Sequence, residues 1–512
     1  MCGILFVKSQ RPLDLNLHLQ AVEKIHDRGP DFTHYQHHNN IFIAQTVLHI
    51  TGEDEFYHWP KPDFLAYNGE VYNYRWFGRY TTDTELVYRT VREQNYKKFP
   101  YFEGPWAWVY TDFESVRFAT DPQGERCLYR YQDDDILIVS SEVSAILCYV
   151  QPQVHVDAWS QRHWPTIRHT PYLGIERCEP GRLYTEIRPS FQIDSIFDWT
   201  HSHQTMTDLE AQEEFDWIFD KVIADMRPTE PAGLTFSGGV DSGIILAAMP
   251  EFAGLYTTIC EGKDTVSNRV REFLTDQQCQ NLTELPMTKQ DWAQDYIDII
   301  ECSQMPVQSW SFVGQWHIAH HCQQRILFTG IGADELFGGY GQYQNMQFTT
   351  NTSASPYSQF DSSDTDSQHL WDQCVSASQG HAGAATLLMD YLVQITAVDA
   401  RGVDTMTMAH SIEPRSPFMH PKIIKFALNL PWHLRQGKPL LQNKFLRKWP
   451  KELLLPKQGF AGHCNDSLPW MGVHHVPAST NRSAQWKQIQ SATFLQYCGI
   501  DSSQSGNQTT QE

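Results

Sequence analysis

The chain has 512 residues, 41% of them hydrophobic, which is enough for two or more domains with sizeable cores. Its 60 acidic and 39 basic residues give a formal net charge of −21 at pH 7, and this balance, without a local basic patch, excludes nucleic acid as an expected partner. Eleven cysteines without a C-x-x-C pair indicate neither a disulfide framework nor a zinc site, and no apolar run approaches the roughly 18 residues of a membrane span, so we expect a cytoplasmic protein.

The second residue, Cys2, is the first candidate for chemistry. If Met1 is removed, Cys2 carries a thiol and a free α-amine, whose pKa of about 7.7–8.0 suits it to shuttle the proton. One residue then supplies both nucleophile and base, without a separate histidine. The alternative is that a cysteine at position 2 is incidental.

Residues 1–195 are expected to form a β-rich domain, because short apolar runs alternate with turn signals such as Asn68-Gly69. Residues 205–478 follow another pattern: helical periodicity over 209–226, then a short apolar run that leads into a glycine loop and a second apolar run. This strand–loop–helix order predicts a parallel α/β sheet. The Ser/Thr-rich stretch 349–368 predicts a mobile insertion, and the polar segment 479–512 predicts a disordered tail.

The glycine loop at 237–242 has the sequence S-G-G-V-D-S. Its glycines allow an anion to approach the backbone, and the following helix N-terminus favours negative charge. No lysine stands at Walker A spacing, so a γ-phosphoryl-transfer loop is disfavoured. The loop instead resembles the pyrophosphate loop of ATP pyrophosphatases, and Asp241 suits Mg²⁺. The alternative is a Ser/Gly-rich turn with an exposed aspartate.

A second acidic loop, T-G-I-G-A-D-E-L-F-G-G-Y at 329–340, follows the apolar run 326–328. It places a carboxylate just after a predicted strand, where open α/β sheets bind ligands. Asp334 is therefore expected to share a metal ion with Asp241. The alternative is that Asp334 and Glu335 only stabilise a helix N-terminus.

Cys2 and the S-G-G-x-D-S loop in one chain resemble the glutamine-hydrolysing asparagine synthetase family, over about residues 1–475. The further matching segments are R-G-P-D at 28–31, N-G-E-V-Y-N at 68–73, Asp83, G-P-W-A at 104–107, D-P-Q-G at 121–124, E-P-R-S-P-F at 413–418 and P-K-Q-G-F at 456–460. Some stretches, notably 47–49, 103–106 and 330–335, look closer to asparagine synthetase domain-containing proteins.

The resemblance implies an N-terminal-nucleophile (Ntn) hydrolase αββα sandwich followed by an α/β parallel-sheet ATP-pyrophosphatase domain. In the first domain Cys2 would attack the side-chain amide of glutamine, and Asn68 and Gly69 would stabilise the oxyanion. Glu70 and Asp83 would hold the α-amino group of glutamine.

In the second domain the resemblance implies that ATP adenylates aspartate, which ammonia then converts to asparagine. Asp241 and Asp334 would hold Mg²⁺, and Lys457 would neutralise charge on the phosphates. The ATP-binding residues implied are Thr235, Ser237, Gly238, Gly239, Asp241, Ser242, Cys260, Thr329 and Gly330. The expected partners are glutamine, aspartate and ATP, with no membrane, and a homodimer is compatible with the resemblance.

Three positions depart from the family pattern. Val47 stands where an arginine clamps the glutamine carboxylate, with Arg28 or His49 as candidate substitutes. Ile331 replaces a glutamate linked to formation of the acyl-adenylate. Trp310 falls near a family arginine and is either a core aromatic or a wall of the acceptor pocket.

These departures leave three hypotheses open. The first is a glutamine-dependent asparagine synthase. The second is an adenylating amide ligase with another carboxylate acceptor, as in β-lactam-forming synthetases. The third is a catalytically impaired homologue that binds nucleotide and regulates.

Overall fold

The computed structural model describes residues 2–50, 63–154, 168–186, 190–200, 206–260, 270–341, 343, 365–454, 490 and 493–499. Two antiparallel sheets and one parallel sheet organise this part of the chain. Lys457, most of the predicted insertion and most of the predicted tail lie outside the described residues.

The two antiparallel sheets occupy the N-terminal part of the chain. Their strands are β1 Cys2–Ser9, β2 Phe32–His38, β3 Ile41–Val47, β4 Phe64–Gly69, β5 Trp106–Thr111, β6 Val116–Thr120, β7 Tyr129–Gln132, β8 Ile136–Ser140, β9 Ile175–Arg177, β10 Arg182–Thr185 and β11 Phe191–Gln192. The first sheet has the order β2-β3-β1-β8-β7-β9, and the second has the order β11-β10-β6-β5-β4. Helices Leu15–Glu23, Asp83–Arg92 and Val143–Ile146 complete this region.

The two sheets stack face to face. Neighbouring residues of a strand point to opposite sides, so β1 contributes to two apolar layers. Ile4 lies in the apolar layer between the sheets, together with Val109 of β5. Leu5 faces the other way and joins the cluster under helix Leu15–Glu23. Helix Asp83–Arg92 packs its apolar side on the outer face of the second sheet. The αββα sandwich predicted from the sequence is thereby confirmed, and β1 is apolar from Ile4 to Val7 because both of its faces are buried there.

The second half of the chain is built on a parallel sheet of order β14-β13-β12-β15-β16, comprising β12 Ala232–Thr235, β13 Gly254–Cys260, β14 Leu282–Met287, β15 Ile326–Phe328 and β16 Glu413–Arg415. Leu234 of β12 pairs with Leu255 on one side and with Phe328 on the other. The loops that follow β12 and β15 therefore leave the same edge of the sheet, which confirms the parallel α/β arrangement.

Helices cover this sheet. Their bounds are Asp208–Met226, Val240–Ala248, Asp276–Asn281, Lys289–Ser303, Ser311–His321, Ala333–Leu336, Thr365–Ala377, Ala382–Asp390, Ala400–Met408, Pro421–Leu428, Trp432–Arg435 and Pro439–Leu446, with a π-helical segment at Tyr391–Asp399. Short 3₁₀ helices lie at His26–Arg28, Tyr74–Phe77, Tyr96–Tyr101, Ile196–Trp199, Arg271–Phe273, Pro417–Met419 and Lys451–Leu453. None of the helices in the described ranges is long and apolar enough to cross a membrane.

The two halves share one apolar cluster. Trp292 and Tyr296 of helix Lys289–Ser303 are fully buried in the same cluster as Leu5 of the first sheet. Phe494 joins this cluster against Tyr172, although it belongs to the segment predicted to be disordered. This part of the tail is ordered because Phe494 anchors it in the core.

Candidate active sites

Cys2 lies at the start of β1, with its side chain enclosed by the ends of both antiparallel sheets. Its backbone N donates a hydrogen bond to Asn68 Oδ1 at 3.0 Å, and its Sγ accepts one from Gln45 Nε2 at 3.0 Å. The residue is only 6% exposed, and burial raises the pKa of the thiol. A buried thiol needs hydrogen-bond donors to become a thiolate, and Gln45, which sequence reasoning missed, is one of them.

The side-chain amide of Asn68 keeps an unused hydrogen-bond donor. Its Oδ1 is occupied by Cys2, whereas its Nδ2 is buried and makes no hydrogen bond within the described part of the chain. An unpaired buried amide N–H is costly unless a ligand supplies the acceptor. Gly69 follows with a φ of +154°, where a Cβ would lie 2.2 Å from the carbonyl oxygen of Pro105. Asn68 therefore offers an unused N–H donor beside Cys2, and an oxyanion hole requires such a donor.

The two carboxylates expected to hold an α-amino group lie close to this loop. Asp83 accepts hydrogen bonds from Tyr67 Oη at 2.9 Å and from Val71 N at 3.0 Å, and burial raises its pKa. Glu70 accepts a hydrogen bond from Arg415 Nη2 at 2.7 Å. Burial raises the pKa of Glu70 to about 8, although Arg415 opposes the shift. Glu70 thus connects the first site to the E-P-R segment of the second domain.

Arg28 does not replace the missing carboxylate clamp. Its guanidinium donates to Glu142 at 2.6 Å, to Asp404 at 2.7 Å and to the carbonyl oxygen of Cys2 at 3.3 Å. Every nitrogen of this buried group is thereby engaged in support of the site. Val47 pairs with Cys2 across β3 and β1 and is itself buried.

The other candidate clamp, His49, is placed by Asp31. The backbone N of His49 donates to Asp31 Oδ2 at 2.8 Å, and the same carboxylate pairs with Arg325 of the second domain. These contacts place His49 at the junction of the two halves.

The pyrophosphate loop has the geometry expected from its glycines. It leaves β12 after Thr235, whose Oγ1 donates to the carbonyl oxygen of Phe328 at 3.2 Å. Gly238 adopts a φ of +72°, a conformation that favours glycine. The hydroxyl oxygens of Ser237 and Ser242 lie 3.3 Å apart, and helix Val240–Ala248 begins directly after the glycines. The loop thus presents hydroxyls and a helix N-terminus to an anion.

Asp241 and Asp334 come together at a lysine. The ammonium of Lys438 lies 2.7 Å from both carboxylate oxygens of Asp241 and 2.6 Å from Asp334 Oδ1. Gly339 makes this approach feasible, because a Cβ there would lie 2.0 Å from Lys438 Cε and from Asp334 Oδ1. Gly330 is similarly close to Asp241, with a Cβ distance of 3.1 Å. Sequence reasoning missed Lys438, since it lies 197 residues from Asp241.

These carboxylates fit a divalent cation that a nucleotide helps to hold. In the described residues no three side chains of His, Cys, Asp or Glu form a metal cage. Mg²⁺ does not need one, because it is usually held by one or two carboxylates together with water and substrate phosphates. Two carboxylates that contact the same ammonium group are close enough to bind the same metal ion.

The remaining predicted positions have varied surroundings. Thr329 follows β15 and is buried, while Cys260 ends β13.

Ile331 is half-buried and packs on the core of the second domain. Trp310 precedes helix Ser311–His321, is partly buried and packs on the apolar cluster shared by the two halves. Glu335, next to Asp334, accepts a hydrogen bond from Tyr340 Oη at 2.6 Å, and burial raises its pKa to about 8.

A buried ion-pair network connects the two halves of the chain. Asp404 of helix Ala400–Met408 receives Arg28 at 2.7 Å and Arg126 at 3.3 Å, and all three side chains are almost fully buried. Removing one partner of such a network leaves charges unpaired in a medium of low dielectric constant.

We expect Asp404→Asn to destabilise the protein by about 3 kcal/mol, because Arg28 and Arg126 each lose a buried ion-pair partner. Urea denaturation of the full chain measures the effect. Glu251→Gln is the matched control, since Glu251 forms an exposed ion pair with Arg227, and such pairs contribute about 0–1 kcal/mol. Equal shifts in the two variants would contradict the importance of this network.

Comparisons with known proteins match both halves of the chain. The glutamine amidotransferase domain family matches residues 1–193, and the asparagine synthase family matches residues 218–470. Asparagine synthetase [glutamine-hydrolyzing] 1 of Bacillus subtilis is 25% identical over 67% of this chain and 60% of its own length. The probable asparagine synthetase of Acanthamoeba polyphaga mimivirus is 22% identical over 90% of this chain and 85% of its own.

An amidase of Penicillium rubens, chyE, is 20% identical over 63% of this chain and 55% of its own length. The chain thus spans between 55% and 60% of the length of the first curated relatives it matches. The glutamine amidotransferase match precedes the asparagine synthase match along the chain. The chain belongs to the glutamine-hydrolysing asparagine synthetase family.

Proposed function

We propose that the chain is a glutamine-dependent asparagine synthase. The observation that carries this proposal is the combination, in one chain, of a buried Cys2 beside the unused Nδ2 donor of Asn68 with a pyrophosphate loop beside two convergent carboxylates. The first arrangement serves amide hydrolysis and the second serves adenylation of an acid. We further infer a cytoplasmic enzyme, since the nine cysteines whose side chains the structure describes are all free.

In the first half, removal of Met1 gives Cys2 a free amine that accepts the thiol proton. The sulfur attacks the side-chain carbonyl of glutamine, and Asn68 Nδ2 and Gly69 N stabilise the oxyanion. The amine then protonates the departing nitrogen, so ammonia leaves and a γ-glutamyl thioester remains for hydrolysis. Asp83 and Glu70 hold the α-amino group of glutamine.

In the second half, the loop at 237–242 and Thr329 hold the phosphates of ATP while the aspartate side chain attacks the α-phosphate. Asp241 and Asp334 are the residues that would hold Mg²⁺, which would supply positive charge to the leaving pyrophosphate. Lys457 supplies a further positive charge. Ammonia then displaces AMP from the acyl-adenylate and gives asparagine.

The decisive assay uses the full chain, with loss of Met1 verified by intact mass. Glutamine, aspartate and ATP-Mg should yield asparagine, glutamate, AMP and pyrophosphate in equal amounts. Ammonium chloride should replace glutamine. No asparagine from either nitrogen source would reject the proposal.

A second candidate is an adenylating ligase for another acid, favoured by Ile331 in the place of a glutamate and by the likeness to the amidase chyE. ATP–pyrophosphate exchange across a panel of carboxylic acids separates the candidates. Exchange with aspartate supports asparagine synthesis, and exchange with a different acid alone supports the second candidate. Nucleotide binding without any exchange supports the regulatory homologue.

Lys438 gives the metal site a specific test. Its ammonium occupies the space between Asp241 and Asp334, so a cation must displace it. We expect Lys438→Met to bind Mn²⁺ without nucleotide at least about tenfold more tightly than the wild type, because two unpaired carboxylates then share the site. Electron paramagnetic resonance of free Mn²⁺ measures the affinity.

Lys444→Met is the control for this experiment, since Lys444 pairs with Asp220 at 2.7 Å outside the site. It should leave Mn²⁺ affinity unchanged. An unchanged affinity in Lys438→Met would show that Asp241 and Asp334 do not form the cation site.

A further inference from the structure

Gln45 occupies an unusual place for a side-chain amide. It lies in β3, whose residues are all buried, and it is itself fully buried. Its Oε1 accepts a hydrogen bond from Tyr67 N at 3.1 Å, and its Nε2 donates to the carbonyl oxygen of Tyr67 at 2.8 Å. These two bonds fix the orientation of the amide, because rotating it by 180° would place its oxygen against a carbonyl and its NH₂ against an N–H.

In this fixed orientation Nε2 also donates to Cys2 Sγ, at 3.0 Å. The donor therefore does not need to rotate into place when the thiol loses its proton. Gln45 belongs to the first sheet, whereas Tyr67, which holds its amide, belongs to β4 of the second sheet. Both sheets therefore define the position of the sulfur.

We propose that Gln45 is a catalytic residue of the glutaminase half, whose amide, clamped on the Tyr67 backbone, donates the hydrogen bond that orients Cys2 Sγ and stabilises it as a thiolate. The inference rests on the proposed role of Cys2 as nucleophile. It adds a residue that acts directly on the reacting atom.

The chemistry requires such a donor. Burial raises the pKa of the Cys2 thiol, whereas hydrogen bonds from Gln45 and from the Leu48 backbone lower it. During attack the proton passes from sulfur to the Cys2 amine, the new C–S bond forms and the C–N bond breaks as ammonia leaves. Gln45 transfers no proton. It stabilises the sulfur when it bears negative charge, before attack and again when water displaces it from the thioester.

Site-resolved alkylation tests the inference without glutamine. The rate at which iodoacetamide modifies Cys2 is followed against pH by peptide mass spectrometry on the full chain. Gln45→Leu should raise the apparent thiol pKa by about one unit, so that alkylation near pH 7 slows about tenfold. Gln45→His, which keeps an N–H donor, should restore part of the loss.

Thr46→Val is the matched control, because Thr46 is the next residue of β3 and makes buried hydrogen bonds to Gly3 and Ile25. It should lower the melting temperature and leave the alkylation profile in place. If Gln45→Leu does not fold, Gln45→Met, which is unbranched and has no donor, measures the same shift. An unchanged profile in a folded Gln45→Leu or Gln45→Met variant would overturn the inference.

The outcome is separable from that of the proposed function. A wild-type protein that hydrolyses no glutamine, yet shows the shift in Gln45→Leu, would reject the glutaminase and keep Gln45 as the partner of the thiol. A glutaminase whose Gln45→Leu variant keeps both its thiol profile and its kcat would keep the proposed function and reject the role of Gln45.

Discussion

Cys2→Ala is expected to abolish asparagine formation from glutamine while ammonia-dependent formation survives. The side chain of Cys2 supplies the only atom in the proposed mechanism that attacks the amide, so its loss should lower glutamine hydrolysis by a thousandfold or more, on the order of other nucleophile deletions. The synthetase site depends on other residues, in loops after β12 and β15, and does not use the sulfur.

The measurement is initial-rate asparagine production with glutamine and with ammonium chloride, for the wild type and the variant. Cys127→Ala is a suitable control, because Cys127 is also buried and belongs to the apolar cluster under the first sheet. It should retain both activities. Loss of the ammonia-dependent activity in a folded Cys2→Ala protein would mean that the two sites are not separate.

The sequence predicts those structural features that a local residue pattern determines. Short apolar runs followed by glycines predicted two loops at the carboxyl edge of a parallel sheet, and the structure brings Asp241 and Asp334 onto one ammonium there. The N-G dipeptide predicted a turn, whereas Asn68 and Gly69 are the last residues of β4; Gly69 takes a backbone conformation that leaves no room for a Cβ. These predictions needed only residue order within a few positions.

Long-range pairs could not be predicted in this way. Lys438 reaches Asp241 from 197 residues away, and Arg415 reaches Glu70 from 345 residues away. No local periodicity reports such distances, because they depend on how separately folded elements dock. The role of Gln45 could not be predicted for a different reason. A polar residue inside an apolar strand indicates a buried hydrogen bond, but the sequence does not identify the acceptor of that bond.

The synthetase half is tested most sharply by Asp241→Asn, which should remove asparagine formation from both nitrogen sources. Asparagine keeps the shape of the side chain but removes the charge that faces the cation site and Lys438. We expect ATP–pyrophosphate exchange to fall by at least about a hundredfold, since positioned charge on the phosphates supplies several kcal/mol of transition-state stabilisation. Glutamine hydrolysis at Cys2 should continue.

Asp220→Asn is the control for charge removal, because Asp220 pairs with Lys444 at 2.7 Å and is exposed. It should preserve exchange and asparagine formation. Asp334 still neutralises Lys438 in the Asp241→Asn protein, so the fold should hold, and a thermal melt verifies this. Exchange at the wild-type rate in the folded variant would show that the cation is held elsewhere. Loss of exchange with continued release of glutamate would instead establish that adenylation and amide hydrolysis use independent sets of residues.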